Sequence, residues 1–281
     1  MGMTDSIEDH EAGDDLETKY IKKEIQVLLY RLRALPEAQR MRLQGELTQT
    51  LLERTAAVET PRGRLSFVAL GRTSAGRAAG LLTRQPDTIA WIDGFQPGGV
   101  FWDVGANIGV YTLYAALRAD TSVVAIEPAA VNYFMLVANC EVNRFGDRVR
   151  CLLAGLGRQP AIADLAVSQF EPAASFGFGG KKAQVFAGRQ AAVILSMDQL
   201  VENYGLSCPN YIKIDVPGLS EEILVGGERT LRRPEVREVH IEARETSAGG
   251  RRIVEALARS GLVVAGTSTH GSADLTFVRA R

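Results

Sequence analysis

Five residues in "DVGANIGVYTLYAALRADTSVVAIEP" have the types and spacing to act together: Asp103, Gly105, Asn107, Gly109 and Glu127. The first four form a DxGxxxG loop between the apolar "VFWDV" and "GVYTLYAALRA", which has the look of a helix. A glycine loop that ends a strand and opens a helix turns backbone N–H groups toward a nucleotide-like ligand. A dinucleotide fingerprint would read GxGxxG, but here an acid takes the place of its first glycine. That carboxylate repels a pyrophosphate and favours a ligand presenting ammonium and hydroxyl donors. Glu127 ends the next strand, where an acid accepts hydrogen bonds from ribose hydroxyls, although a solvated carboxylate would read the same way. S-adenosylmethionine carries an ammonium, a sulfonium and one carboxylate, and it satisfies both conditions. Beyond the following strand, Ala154 and Gly155 leave room for adenine.

A second group lies further along the chain. In "YIKIDVPG", alternation sets Tyr211, Lys213 and Asp215 on one face of a strand. A lysine in a central strand needs a partner, and Asp215 is its nearest. In "VHIEA", His240 and Glu242 share a face, with Glu242 at the strand end. Asp215 and Glu242 are therefore the expected catalytic residues, as base or as orienting group for an acceptor. A purely structural Lys213–Asp215 ion pair fits the same residues. His240, two residues inside the strand, reads as a satisfied core histidine, and His270 in "THGS" as an exposed turn residue. Two carboxylates make an incomplete Mg²⁺ shell, and Cys140, Cys151 and Cys208 form no CxxC pattern, so no metal is expected. The Gly- and Phe-rich stretch 170–188 reads as a surface loop or as a lid, with Lys181 and Lys182 as contacts to a polar acceptor.

The elements that must position these residues follow a regular rhythm from Val100 onward. "VFWDV", "SVVAIEP", "VRCLLAGLG", "NYIKIDV" and "EVREVHIEA" are strands separated by helices, an α/β pattern that specifies a mostly parallel sheet. "LVVAGTS" and "ADLTFVRA" bring the count to seven strands and form a terminal antiparallel hairpin. Before this lie an acidic tail at 1–18 expected to be disordered, a helical arm at 19–56 and a lead-in of strand and helices at 57–98. The ligand-binding domain is expected over 99–281. Ile21, Ile25, Leu28 and Leu32 recur at helical spacing in the arm, which suits either a packed lid or a homodimer seam.

The 281 residues are 46% hydrophobic and 23% charged, with a net charge of −1. That balance gives no general attraction to nucleic acid or to an anionic membrane. No apolar run is long enough to span a bilayer, and the tail lacks the basic character of a targeting segment. A cytoplasmic protein with reduced thiols is expected.

"VFWDVGANIGVYTLYAA", "VVAIEP" and "YIKIDVPGLSEEIL" together resemble the signatures of FkbM-type S-adenosylmethionine-dependent methyltransferases. The resemblance runs over roughly residues 78 to 245. It implies a Rossmann-like methyltransferase fold and methyl transfer to an oxygen of a sugar, polyketide or other small-molecule or glycan acceptor. At one position the chain departs from the family: it reads "DVPG", with Pro217 where "DVEG" is usual. Two other readings stay open at this point. One is a protein that keeps the fold and has lost turnover; the other is a nicotinamide-dependent oxidoreductase, against which Asp103 argues.

Overall fold

The computed structural model describes residues 15–166, 173–174, 177–178, 189–267 and 274–280. The lid reading of 170–188, with Lys181 and Lys182, falls almost wholly outside the described residues, as do His270 and most of the acidic tail. The chain divides into two units, residues 1–53 and 54–281. In the first, α1 (Leu16–Arg33) starts at Asp15, whose carboxylate accepts from the Thr18 N–H at 2.7 Å. After Pro36 the chain forms α2 (Glu37–Glu53). Ile21, Ile25 and Leu28 of α1 and Leu43, Leu47 and Leu51 of α2 are exposed. No described helix is long and apolar enough to cross a membrane.

The second unit opens with a hairpin of β1 (Thr55–Thr60) and β2 (Gly63–Val68), followed by α3 (Arg72–Ala79) and α4 (Pro86–Asp93). The core then runs β3 (Val100–Val104), α5 (Val110–Ala116), β4 (Ser122–Ile126), α6 (Ala130–Val142) and β5 (Val149–Leu152). A smaller four-stranded sheet follows, from β6 (Gly155–Leu156), β7 (Ala161–Ala166), β8 (Gly177–Phe178) and β9 (Arg189–Leu195). The chain returns through α7 (Met197–Glu202), β10 (Tyr211–Ile214), α8 (Ser220–Gly226), α9 (Glu228–Leu231) and β11 (Glu238–Glu242). It ends in α10 (Ala248–Arg259), β12 (Leu262–Thr267) and β13 (Asp274–Arg279).

The main sheet has seven strands in the order β12-β13-β11-β10-β3-β4-β5, as the sequence pattern implies. Only β13 runs antiparallel to its neighbours β11 and β12; β11, β10, β3, β4 and β5 pair in parallel. From β3 the chain builds outward to β4 and β5, then crosses back to β10 on the other side. Strand order therefore reverses between β3 and β10, and the ligand crevice of such a sheet lies at the carboxyl ends of those two strands.

The two faces of the sheet differ. On one, Trp102, Val104, Ile212, Ile214, Val239 and Ile241 join side chains of α8 and α10 in the apolar core. Each such buried side chain contributes about 1.5–3 kcal/mol from removal of its surface from water. The other face carries a polar row. Register aligns Ala125, Asp103, Lys213, His240 and Thr276 across five strands, so all five point the same way.

One strand reading changes, and other local features become visible. "VRCLLAGLG" divides at Leu153–Ala154: β5 belongs to the main sheet and β6 pairs with β9 in the small one. The stretch before α7 is not wholly irregular, because β7 and β9 form an antiparallel ladder within it. Half of β7 is exposed and only Leu165 is buried, so it lacks the apolar alternation that betrays a half-buried strand. Residues 72–79 form a helix, and "LSEEILVGGERTLRR" breaks into α8 and α9 at Gly226–Gly227. A Cβ at Gly226 would lie only 2.0 Å from the Gly157 carbonyl oxygen, so this approach of helix to small sheet requires glycine.

Candidate functional site

The glycine loop takes its shape from backbone contacts. Gly105 and Ala106 both donate to the Ile126 carbonyl, at 2.9 and 3.1 Å, tying the loop to the end of β4. Gly105 has φ +85, and a Cβ there would sit 2.4 Å from the Asp215 carbonyl oxygen. The loop thus lies directly on the end of β10, where only glycine fits. Gly109, at φ +87, opens α5, and its missing Cβ makes room for Leu136 of α6. Between them Asn107 takes a left-handed φ of 54.

Glu127 braces this loop from the end of β4. One carboxylate oxygen accepts from the Asn107 N–H at 2.8 Å and the other from the Ala129 N–H at 2.9 Å. Burial pushes its pKa up to about 7, against the lowering effect of those two amides. The Asn107 side chain donates to the Ala174 carbonyl at 3.2 Å, joined by Asn132 at 3.1 Å. Arg77 of α3 donates to the Ala173 carbonyl at 2.7 Å. Residues 173–174 are therefore held across the loop by α3, α6 and the loop itself. Ala154, buried, follows β5 on the same edge of the sheet.

Asp103 lies beneath the loop, 1% exposed, and accepts from the Thr112 hydroxyl at 2.6 Å. Burial raises its pKa, opposed by Lys213 and Thr112. Lys213 is also buried, with its ammonium 2.9 Å from Asp215 and 5.0 Å from the centre of the Tyr111 ring. Burial alone would lower its pKa, but Asp215 and Asp103 outweigh this and hold it at about 12. One buried cation thus serves two carboxylates.

Asp215 and Glu242, predicted from separate segments, come together. They hydrogen-bond to each other at the carboxyl edge of β10 and β11. The charge of Lys213 lowers Asp215 to about 2. Partial burial, together with the charge of Asp215 and the hydrogen bond to it, raises Glu242 to about 7. The two carboxyls are thereby driven apart in acidity, the arrangement that assigns one to remain charged and the other to exchange a proton. Position 217, where the resemblance leads one to expect glutamate, is an exposed proline, and the carboxylate beside Asp215 is that of Glu242 on β11.

His240 is enclosed, as expected of a core histidine. Its ring nitrogens lie 3.0 Å from the Thr88 hydroxyl and 2.9 Å from that of Thr276, and Trp91 stacks on it. Sequence patterns do not disclose Arg77 and Tyr111 as site residues. Arg77 belongs to no motif and Tyr111 lies in the glycine-loop signature without a role of its own there, and only the packing of α3 and α5 brings them to the crevice.

A doubly wound sheet with an acid-led glycine loop at its switch point, and an acid ending the next strand, defines the Rossmann-like methyltransferase class. Residues 103–261 match the family described as the methyltransferase FkbM domain, and the chain belongs to that family. The methyl donor of these enzymes is S-adenosylmethionine.

The chain is 28% identical over 209 residues to the 31-O-demethyl-FK506 methyltransferase FkbM of Streptomyces tacrolimicus, covering 62% of this chain and 80% of that one. It is 32% identical over 127 residues to the hexuronic acid methyltransferase AglP of Haloferax volcanii, covering 45% of this chain and 49% of that one. Among solved structures it is similar to methyltransferase FkbM from Methylobacillus flagellatus KT, with a TM-score of 0.44 and 16% identity. That match spans 82% of this chain and 57% of the other.

The donor set suits a cationic adenosine ligand. Carboxylates lie at the ends of β3, β4 and β10, and one buried oxygen of Asp103 has no hydrogen-bond partner among the described residues. The residues that would hold the donor are Gly105, Asn107, Gly109, Glu127 and Ala154, with Asp103 supplying negative potential from below.

Proposed function

We propose that this methyltransferase acts on a hydroxyl oxygen of a sugar, polyketide or similar small metabolite. The observation that carries this reading is the Asp215–Glu242 pair, whose higher pKa lies near neutrality at the switch-point edge of the sheet. A hydroxyl nucleophile must lose its proton, and a positioned base of that pKa speeds the step about 10²- to 10⁴-fold. The names of the two relatives, one bearing a 31-O-demethyl substrate and the other a hexuronic acid, support the same class.

The donor, when bound, supplies a methyl carbon already activated by its sulfonium. This chain's part is alignment and proton removal. Glu127 accepts the ribose hydroxyls while its bonds to the Asn107 and Ala129 amides keep the loop in shape. Lys213 keeps Asp215 ionised, and Asp215 orients the acceptor hydroxyl. Glu242 takes the proton. Holding two reactants in line lowers the barrier by about 7–11 kcal/mol, so the rigidity of the loop matters as much as the base.

Because the base works deprotonated, the rate should rise with pH through about 7 and level off above it. The test is methyl transfer from labelled donor to a panel of macrolide and uronic-acid glycoside hydroxyls, with Glu242→Gln in parallel. Expected is transfer by the wild type and a loss of about 10²- to 10⁴-fold in kcat in the variant. Donor binding without transfer to any hydroxyl would favour the reading, motivated by Pro217, of a protein that keeps the ligand and has lost turnover.

A further inference from the structure

The polar row that crosses the main sheet has a neighbour one step nearer the carboxyl edge. Continuing two residues along each strand from Ala125, Asp103, Lys213 and His240 gives Glu127, Gly105, Asp215 and Glu242. This second row holds Glu127, Asp215 and Glu242, three of the acids expected at the crevice. Its last member is set by the β11–β13 ladder, in which Glu242 pairs directly with Asp274.

We propose that Asp274 is a positioning residue of the acceptor-side pair, its buried carboxylate opposite Glu242 keeping the proton of the pair on Glu242. This rests on the reading of Glu242 as the base.

Directly opposed residues of an antiparallel pair have Cβ atoms about 4.5–5.5 Å apart and face the same side, and like charges so placed repel. Asp274 is 3% exposed and cannot turn away into water. It lies beside the His240 ring, with Nε2 3.8 Å from its carboxylate, and that ring is fixed by Thr88, Thr276 and Trp91. Glu242 is the exposed partner and the one free to choose its direction. A charge on Glu242 is thus opposed from both sides, by Asp274 of β13 and by Asp215 of β10, and a proton on Glu242 relieves both.

Two carboxyls hydrogen-bond only if one carries a proton. Lys213 holds Asp215 ionised, so the proton sits on Glu242 and must pass to solvent before Glu242 can take the acceptor's. The charged and titratable groups around Glu242 are Asp215 and Lys213 of β10, Asp274 of β13, His240 of β11 itself and, behind Lys213, Asp103 of β3. Of these Asp274 alone adds negative charge from the side away from the donor.

The experiment compares wild type, Asp274→Asn and Asp274→Glu in the pH dependence of kcat, in acceptor KM and in donor Kd by calorimetry. The Glu242 carboxyl is followed by ¹³C NMR titration in the same proteins. Removing a neighbouring negative charge lowers a carboxyl pKa. Expected for Asp274→Asn is therefore a rising limb moved about one pH unit lower, matched by the Glu242 resonance, with donor Kd unchanged. The plateau of kcat should fall roughly tenfold, through the weaker base and its looser placement. Asp274→Glu should return the limb toward the wild-type position. A limb and a Glu242 resonance that stay in place in Asp274→Asn would overturn the proposal, whatever happens to stability. Asp274→Ser supplies the same two readouts if the amide variant fails to fold. Failure of the parent reading has a different signature: no transfer by wild type, or full activity in Glu242→Gln, while the NMR titration still reports whether Asp274 acts on Glu242.

Discussion

At the carboxyl ends of β3 and β4 the crevice is shaped by backbone. Gly105 lies against the Asp215 carbonyl, Gly109 against Leu136, and Glu127 spends its carboxylate oxygens on two amides. At the ends of β10 and β11 the shape is set by charge, with Lys213 beneath Asp215 and Glu242 pressed between acids. On the function proposed above, the difference follows from what each side would handle. One ligand of fixed shape can be met by a fixed loop. A hydroxyl that must lose a proton needs groups whose acidity is adjusted, and acidity is adjusted by neighbours rather than by conformation.

Substitutions at the joint between the two sides test this division. The largest effect is expected from Lys213→Met, which leaves Asp103 and Asp215 in a buried site without their shared cation. Breaking such a buried pair costs about 3–5 kcal/mol, to be read as a drop in denaturant midpoint. If stability barely changes, the charged side is less buried than its geometry indicates. Next comes Gly105→Ala, which forces a left-handed φ on alanine and a contact with the end of β10. About 2–4 kcal/mol of lost stability is expected, together with loss of donor binding by calorimetry, while the Glu242 titration remains near neutrality. The smallest is Glu127→Gln, where the amide can accept from only one of the two N–H groups. Roughly tenfold weaker donor binding and about 1 kcal/mol of lost stability are expected, with the pH–rate profile in place. A profile that moved would mean that the two sides are not separable.

The same division explains which features the amino-acid sequence announces and which it conceals. The glycine loop and the seven main strands are legible in it, because backbone requirements are written locally. Gly105 and Gly109 stand where φ is positive and a chain approaches closely, and the central strands are mostly apolar because both their faces are buried. Asp215 beside Lys213 is legible for the same reason, being two residues away on one strand. That Glu242 meets Asp215 follows only from both being strand ends. Asp274 beside Glu242 is not legible, since the antiparallel insertion of β13 decides it and no residue near Asp274 announces that register. The small sheet of β6 to β9 leaves little mark because β6 and β8 have two residues each and β7 buries only Leu165, although β9 does alternate, with Ala192 and Ile194 buried. The break between α8 and α9 is hidden because Gly226 answers to Gly157, far away in sequence.

The placement of β13 has a consequence for how the molecule comes into being. It follows every other strand of the sheet in sequence, yet lies inside the sheet, between β11 and β12. Until it inserts, β11 presents an unpaired edge, and Glu242 lacks the neighbour that stands opposite it. As the polypeptide leaves the ribosome, the loop that grips the donor can assemble well before the proton-handling side does. On the proposed reading, the order of synthesis would then complete the glycine loop before the acid pair, so that binding is acquired before reactivity.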